Sequence, residues 1–207
     1  MLWSQTDLVE ATAGDLLGDW GNDGVTGISI DSRTIKTNEL FVAIKGNRDG
    51  HNFINDAIKL GAKAALVDHV PLEISPNTPL VLVSCVQTPL ENLAKHRRKR
   101  SQAKLVAITG SVGKTSSKNM LKTILELQGK THAAPASFNN HLGVPLTLAN
   151  LPMDATYAVV EIGMNKPGEI EPLAKMTSAD VVFITAIAEA HLLSLIHISE
   201  PTRHLDI

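Results

Sequence analysis

The chain has 207 residues, 43% of them hydrophobic, with 19 Lys and Arg against 21 Asp and Glu and a formal net charge of −2. That length suits one large domain or two small ones with a real core. The near-neutral balance gives no pull toward nucleic acid or a membrane surface, and no apolar run approaches the length of a membrane span.

In chain order, the N-terminus lacks a basic stretch ahead of an apolar core, so no secretory signal is expected. Residues 26–30 and 40–44 read as strands, joined by a polar loop that opens with Asp31-Ser32-Arg33. After the loop 46–50, an amphipathic helix is predicted near 51–60 from Phe53, Ile54, Ala57, Ile58 and Leu60, with Gly61 as its stop. Two more strands, 64–67 and 80–83, flank a loop with Pro71, Pro76 and Pro79. Residues 1–86 therefore read as a small α/β domain. The single cysteine, Cys85, excludes an internal disulfide, fits a reducing cytosol, and reads as a small buried residue after the apolar run.

A linking helix is expected within 87–103. Its run His96-Arg97-Arg98-Lys99-Arg100 has no interleaved aromatics, so a solvated helix end that complements the dipole is favoured over a nucleic-acid patch. From 104 onward the reading is strand 105–109, helix 115–128, loop 131–145, strand 157–161, helix near 168–176 and strand 180–185. That alternation implies a mostly parallel sheet covered by helices, a second α/β unit over 104–192.

Residues 105–116 read Leu-Val-Ala-Ile-Thr-Gly-Ser-Val-Gly-Lys-Thr-Ser. A buried strand enters a small-residue loop that delivers Lys114 and Thr115 to the start of a helix, the context of a phosphate-binding loop. Backbone N–H groups from Gly110, Ser111, Val112, Gly113 and Ser116 can point at phosphate oxygens. Lys114 can reach the β/γ-phosphates, and the Thr115 hydroxyl can hold Mg²⁺. Ile108 stands where G-x-x-x-x-G-K-[ST] has its first glycine. A glycine turn with an incidental lysine is the plainer alternative, and the Gly-Lys-Thr triplet between strand and helix weighs against it.

Glu161 ends an apolar strand, where ligands gather in parallel α/β sheets. It either holds Mg²⁺ beside the loop or simply ends the strand at the surface; the neighbouring loop favours the metal. His191, a few residues past the last strand, reads as a second metal ligand or as an ordinary polar histidine. The stretch 137–145 is polar, with a glycine and a proline. Such a loop could present amides to a ligand or could be plain turn chemistry, and spacing alone does not decide.

Together these stretches resemble the Mur ligases, ATP-dependent enzymes that build the peptidoglycan peptide. The carriers in the first unit are Asp31-Ser32-Arg33, the run 40–46 and Asp49-Gly50-His51. In the second they are 109–116, Phe138-Asn139-Asn140, Gly143-Val144-Pro145, 161–165, 167–170 and Ala190-His191-Leu192. Phe138 to Pro145 and Glu161 to Ile170 look like the branch that joins D-Ala-D-Ala to UDP-MurNAc-tripeptide. The resemblance implies a UDP-sugar-binding front domain followed by the first part of an ATPase domain. It also implies phosphorylation of a carboxylate by ATP, then amine attack on the acyl phosphate.

By the same resemblance, Lys114, Glu161 and His191 are catalytic, and Thr115, Glu161 and His191 hold Mg²⁺. Residues 110–116 with Asn139 and Asn140 bind ATP, and Ser32 and Arg33 contact the UDP-sugar. A cytoplasmic monomer is implied, with no nucleic-acid partner and no membrane insertion. A related Mur ligase with another acceptor, a folylpolyglutamate-synthase-like ligase and a nucleotide-binding module without catalysis are the competing readings.

The resemblance stops after Leu192. Family members continue with a glutamate, where this chain has Leu193, and later carry a lysine that is carbamylated to hold a second Mg²⁺. Residues 193–207 instead resemble translated sequencing-adapter read-through, a non-native tail. A divergent helix with Leu192, Leu195, Ile196 and Ser199 on one face is the alternative.

Overall fold

The computed structural model describes residues 1–21, 23–164 and 168–187. Its first unit begins with α1 (Gln5–Thr12), started by a capping box in which Ser4 Oγ accepts from Asp7 N and the Asp7 carboxylate reaches back to Ser4. Then come β1 (Asp15–Leu17), β2 (Ile28–Ser29) and β3 (Leu40–Val42). A 3₁₀ turn (Gly50–Phe53) leads into α2 (Ile54–Lys59), followed by β4 (Ala64–Val67) and β5 (Leu80–Leu82). The strand order is β1-β5-β4-β3-β2, parallel except for β1, which runs antiparallel to β5. The first 25 residues carry no predicted element, yet they supply a capped helix and an edge strand.

The second unit alternates strand and helix: β6 (Lys104–Thr109), α4 (Lys114–Glu126), β7 (Thr131–Ala133), α5 (Gly143–Ala149), β8 (Tyr157–Glu161), α6 (Ile170–Thr177) and β9 (Val181–Ile184). Its four strands are all parallel in the order β7-β8-β6-β9. The predicted strands are present, several of them shorter than expected. The predicted loop 131–145 is a correction, because it contains β7 and the start of α5. Every residue of α5 is buried, so it shows no amphipathic period. Pro145 sits in its first turn, where no intrahelical N–H is needed.

Between the sheets runs α3 (Gln87–Arg100). Its Leu90 and Leu93 join the front core with Trp3, Leu8 and Val81, while Ala94 joins the second core with Leu105, Val144 and Leu148. Each fully buried leucine contributes about 2 kcal/mol by area. From the second unit, Leu146 and Ala149 of α5 enter the front core. Trp3 Nε1 donates to the Ala149 carbonyl at 2.9 Å. The Asn150 amide exchanges two hydrogen bonds with the Ile28 backbone, both 2.8 Å. The two units therefore meet through packed side chains and hydrogen bonds.

Two local expectations are corrected here. The basic run is only partly a solvated helix end: Lys99 and Arg100 are exposed, but the run also carries interface contacts. Arg97 is buried, donates from Nε to the Leu151 carbonyl at 2.6 Å, and lies over the Trp3 ring. Arg98 ties the Thr177 and Ser178 carbonyls and Asp180, and Arg100 pairs with Asp7. Cys85 is exposed rather than buried, because the chain turns outward between β5 and α3. A hydrogen bond from the Thr88 N–H, helped by the Thr88 hydroxyl, lowers its thiol pKa.

Candidate functional site

The parallel register sets the site. Ile108 pairs with Glu161 across β6 and β8, so the carboxylate stands beside the loop that leaves β6. Gly110 and Gly113 hold φ of +133° and +82°, conformations that side chains rarely adopt. A Cβ on Gly110 would lie 2.3 Å from Thr185 Oγ1. The end of β9 braces the loop. The Thr185 N–H donates to the Thr109 carbonyl at 2.9 Å and its hydroxyl to the Val112 carbonyl at 2.5 Å, while Ser111 N donates to Ala186.

Helix α4 starts at Lys114, with Gly113 as its N-cap. Its first intrahelical bond runs from Ser117 N to Gly113 O, so the N–H groups of Lys114, Thr115 and Ser116 have no intrahelical acceptor. They form the positive end of the helix dipole. Lys114 Nζ donates to the Gly110 carbonyl at 2.7 Å, which folds the ammonium over the loop.

Glu161 is 3% exposed, so it does not end its strand at the surface. The Thr115 hydroxyl donates to it, at 2.9 Å from Oε2 and 3.1 Å from Oε1. Asn139 Nδ2 donates to Oε1 at 2.8 Å, and the Asn139 carbonyl accepts from Gly163 N. Ser137 Oγ lies 2.9 Å from Thr115 Oγ1. The Thr115 hydroxyl and the Glu161 carboxylate are hard oxygen donors that converge beside the loop, a donor set whose chemistry fits Mg²⁺.

The loop 110–116, Glu161 and Asn139 thus meet in one place. Asn140 does not join them: its Oδ1 accepts from Leu142 N and Gly143 N at 3.1 and 2.8 Å and caps α5. His191 and residues 193–207 lie outside the described residues.

Sequence reasoning missed Ser137 and Lys118. Lys118, one turn after Lys114, is fully buried, and its ammonium donates to the Ala134 and Ala136 carbonyls at 3.0 and 2.8 Å. Burial pushes its pKa down, while the charge of Glu161 favours the ammonium. The available signal was its i+4 spacing from Lys114.

Ser32 and Arg33 line a separate cavity of about 980 Å³ with Asp31, Arg48 and Phe53, and Phe138 of the second unit contributes to its wall. Ser32 is buried, whereas Arg33 is 85% exposed and grips Asp31 through Nε and Nη2 at 2.9 and 2.7 Å. That pairing holds the Asp31 carboxyl below its ordinary range. The Arg48 guanidinium lies 4.3 Å from the centre of the Phe53 ring, a contact the sequence did not single out.

Two family models match the chain: the Mur ligase family catalytic domain over residues 24–100 and the Mur ligase middle domain over 108–197. The chain is 41% identical over 165 residues to the UDP-N-acetylmuramoyl-tripeptide–D-alanyl-D-alanine ligase of Rickettsia prowazekii, covering 80% of this chain and 36% of that one. It is 38% identical over 189 residues to the Escherichia coli protein of the same name, covering 90% and 40%. Among solved structures, MurF from Acinetobacter baumannii superposes with a TM-score of 0.79 at 33% identity, covering 92% of this chain and 42% of that one. MurF from Thermotoga maritima in complex with ADP gives 0.63 at 29%, covering 80% and 38%. The chain spans about two fifths of the length of the curated relatives it matches.

Proposed function

The chain belongs to the Mur ligase family, and from that premise we propose that it is part of the ATP-dependent ligase that joins D-Ala-D-Ala to UDP-MurNAc-tripeptide. The observation that carries this reading is 38–41% identity, running through both units, to relatives bearing that ligase name. We assign residues 1–86 to UDP-sugar binding, 87–103 to the linking helix, 104–192 to the first part of the ATPase domain, and 193–207 to a non-native tail. The enzyme is proposed as a cytoplasmic monomer with no nucleic-acid partner. Among the described residues, no helix is long and apolar enough to cross a membrane.

A carboxylate is a poor electrophile, and phosphorylation gives it a leaving group that the amine of D-Ala-D-Ala can displace. The loop amides of 110–116 cradle the phosphates, and Lys114 swings from the Gly110 carbonyl onto the transferring phosphoryl group to offset its charge. Thr115 and Glu161 are the residues that would hold Mg²⁺, which when bound neutralises phosphate charge. Asn139 orients the Glu161 carboxylate. Ser32 and Arg33 face the UDP-sugar, for which the cavity of about 980 Å³ has room. His191 is proposed as the second-metal ligand, whereas Asn140, which caps α5, is not proposed as an ATP contact.

The test is ATP-dependent phosphate release with UDP-MurNAc-tripeptide, with and without D-Ala-D-Ala, on the 207-residue chain and on a full-length parent. Release by the parent that requires D-Ala-D-Ala supports the assignment; release driven by a single amino acid points to another Mur ligase. The 207-residue chain, which spans about two fifths of its relatives' length, is expected to bind nucleotide without turnover, and its solubility is expected to be limited, since β9 is a half-exposed apolar edge among the described residues. Deleting 193–207 should change neither binding nor solubility. Ligation that disappears with the tail would make the tail functional.

A further inference from the structure

We propose that Lys118 is a positioning residue for the Thr115–Glu161 metal site, acting through the strap 134–139 that it pins from below. This rests on the reading of that site as a nucleotide–magnesium site.

The strap leaves β7 with no regular structure of its own. Over three consecutive residues it places three side chains that matter. Ser137 reaches the Thr115 hydroxyl, Phe138 lines the front cavity, and Asn139 donates to Glu161. An irregular segment holds such a geometry only if its backbone is tied down. Lys118 supplies such a tie: its ammonium bridges the Ala134 and Ala136 carbonyls. Leucine or methionine would suit a fully buried position facing the sheet on packing grounds alone. A lysine there is worth its desolvation only if its donors are used, and both bonds go to the strap.

The placement separates two effects. The described hydrogen bonds of the Lys118 ammonium go to the strap, one helical turn away from Lys114, and not to the loop 110–113. Its influence reaches Glu161 through Asn139 and Thr115 through Ser137. Losing the two bonds should therefore loosen the groups that aim the metal ligands and leave metal-free nucleotide binding intact.

Calorimetric titration of the 207-residue chain with ATP, in the presence of Mg²⁺ and in its absence with a chelator, reads this directly. Lys118→Met should cut the magnesium-dependent gain in affinity about tenfold, the size typical for groups that orient metal ligands. Metal-free affinity should stay within about twofold. Asn139→Ala removes one of the two routes and should show part of that loss, and the double variant should lose no more than Lys118→Met alone, because Asn139 lies downstream of Lys118. If Lys118→Met does not fold, Lys118→Gln, which retains a shorter donor, takes its place with the same outcomes.

Equal magnesium gain in wild type and variant overturns the proposal while leaving the nucleotide site standing. Equal loss with and without Mg²⁺ marks a general structural role and also overturns it. A folded wild-type chain that binds no ATP, or binds it without any magnesium gain, removes the site and overturns the reading beneath it as well.

Discussion

The two candidate sites differ in how their charged groups are held. Around Glu161, the carboxylate is 3% exposed and receives bonds from Thr115 and Asn139, which are themselves braced by Ser137, Gly163 and β8. In the front cavity, Arg33 is 85% exposed and its only described partner is Asp31, two residues away. The first site is preorganised, which suits the proposed small, hard ion and polyphosphate, where misplacement is costly. The second is an open surface whose cation, under the proposed role, would exchange its carboxylate for a ligand phosphate. Burial and long-range bonding strengthen electrostatics at one site, and solvent screens them at the other.

The largest expected effect tests whether the two sites are independent. Lys114→Ala removes the charge nearest the β/γ-phosphates and should weaken ATP binding by about 100-fold or more. UDP binding in the front cavity should not change. Equal ATP affinity in wild type and variant would sink the phosphate-loop assignment.

Next in size is Glu161→Gln, which keeps the shape and loses the anion. Magnesium-dependent ATP affinity should fall about 10- to 100-fold. A fall that persists without Mg²⁺ would mean that Glu161 acts on the nucleotide rather than on the ion.

For the open site the expectation is smaller. Arg33→Ala should weaken UDP binding about fivefold, the scale of one screened charge-assisted bond, with no shift in melting temperature. A marked drop in thermal stability would show that the Asp31–Arg33 pair is a structural element and erase the contrast with Glu161.

The smallest effect concerns His132 on β7, which lies between the sites and lines a cavity shared by both units. Burial lowers its pKa, although a hydrogen bond to the Thr147 carbonyl opposes this. A folded-state pKa below the unfolded value of about 6.5 means that its share of stability is complete above that pH. It is lost as pH falls through the folded value. The melting temperature should therefore decline below about pH 6.5, above the window in which depressed carboxylates such as Asp31 and Asp180 protonate. His132→Gln should flatten that upper limb. An unchanged profile would assign the limb to another group.

How much was legible divides along the same line. Sequence alone determined the strand–loop–helix unit from β6 to α4, because strand, glycine turn, lysine and helix are consecutive and their conformations are local. It also located Glu161 beside that loop, because adjacent parallel strands bring their carboxyl ends together whatever lies between them. The α/β alternation was readable for the same reason: each period is set within a few residues.

Only tertiary structure decided the rest. Lys118 looks like any surface lysine until β7 and the strap cover it. Asn139 and Asn140 are neighbours of the same type, yet one turns to Glu161 and the other caps α5, a choice made by where β8 and α5 sit. Helix α5 has no visible period because it is buried on all sides between two sheets. Arg97 belongs to a basic run by composition and to the interface with Trp3 by packing. In each case the deciding partner is far away in the chain, and only the packed chain brings it within reach.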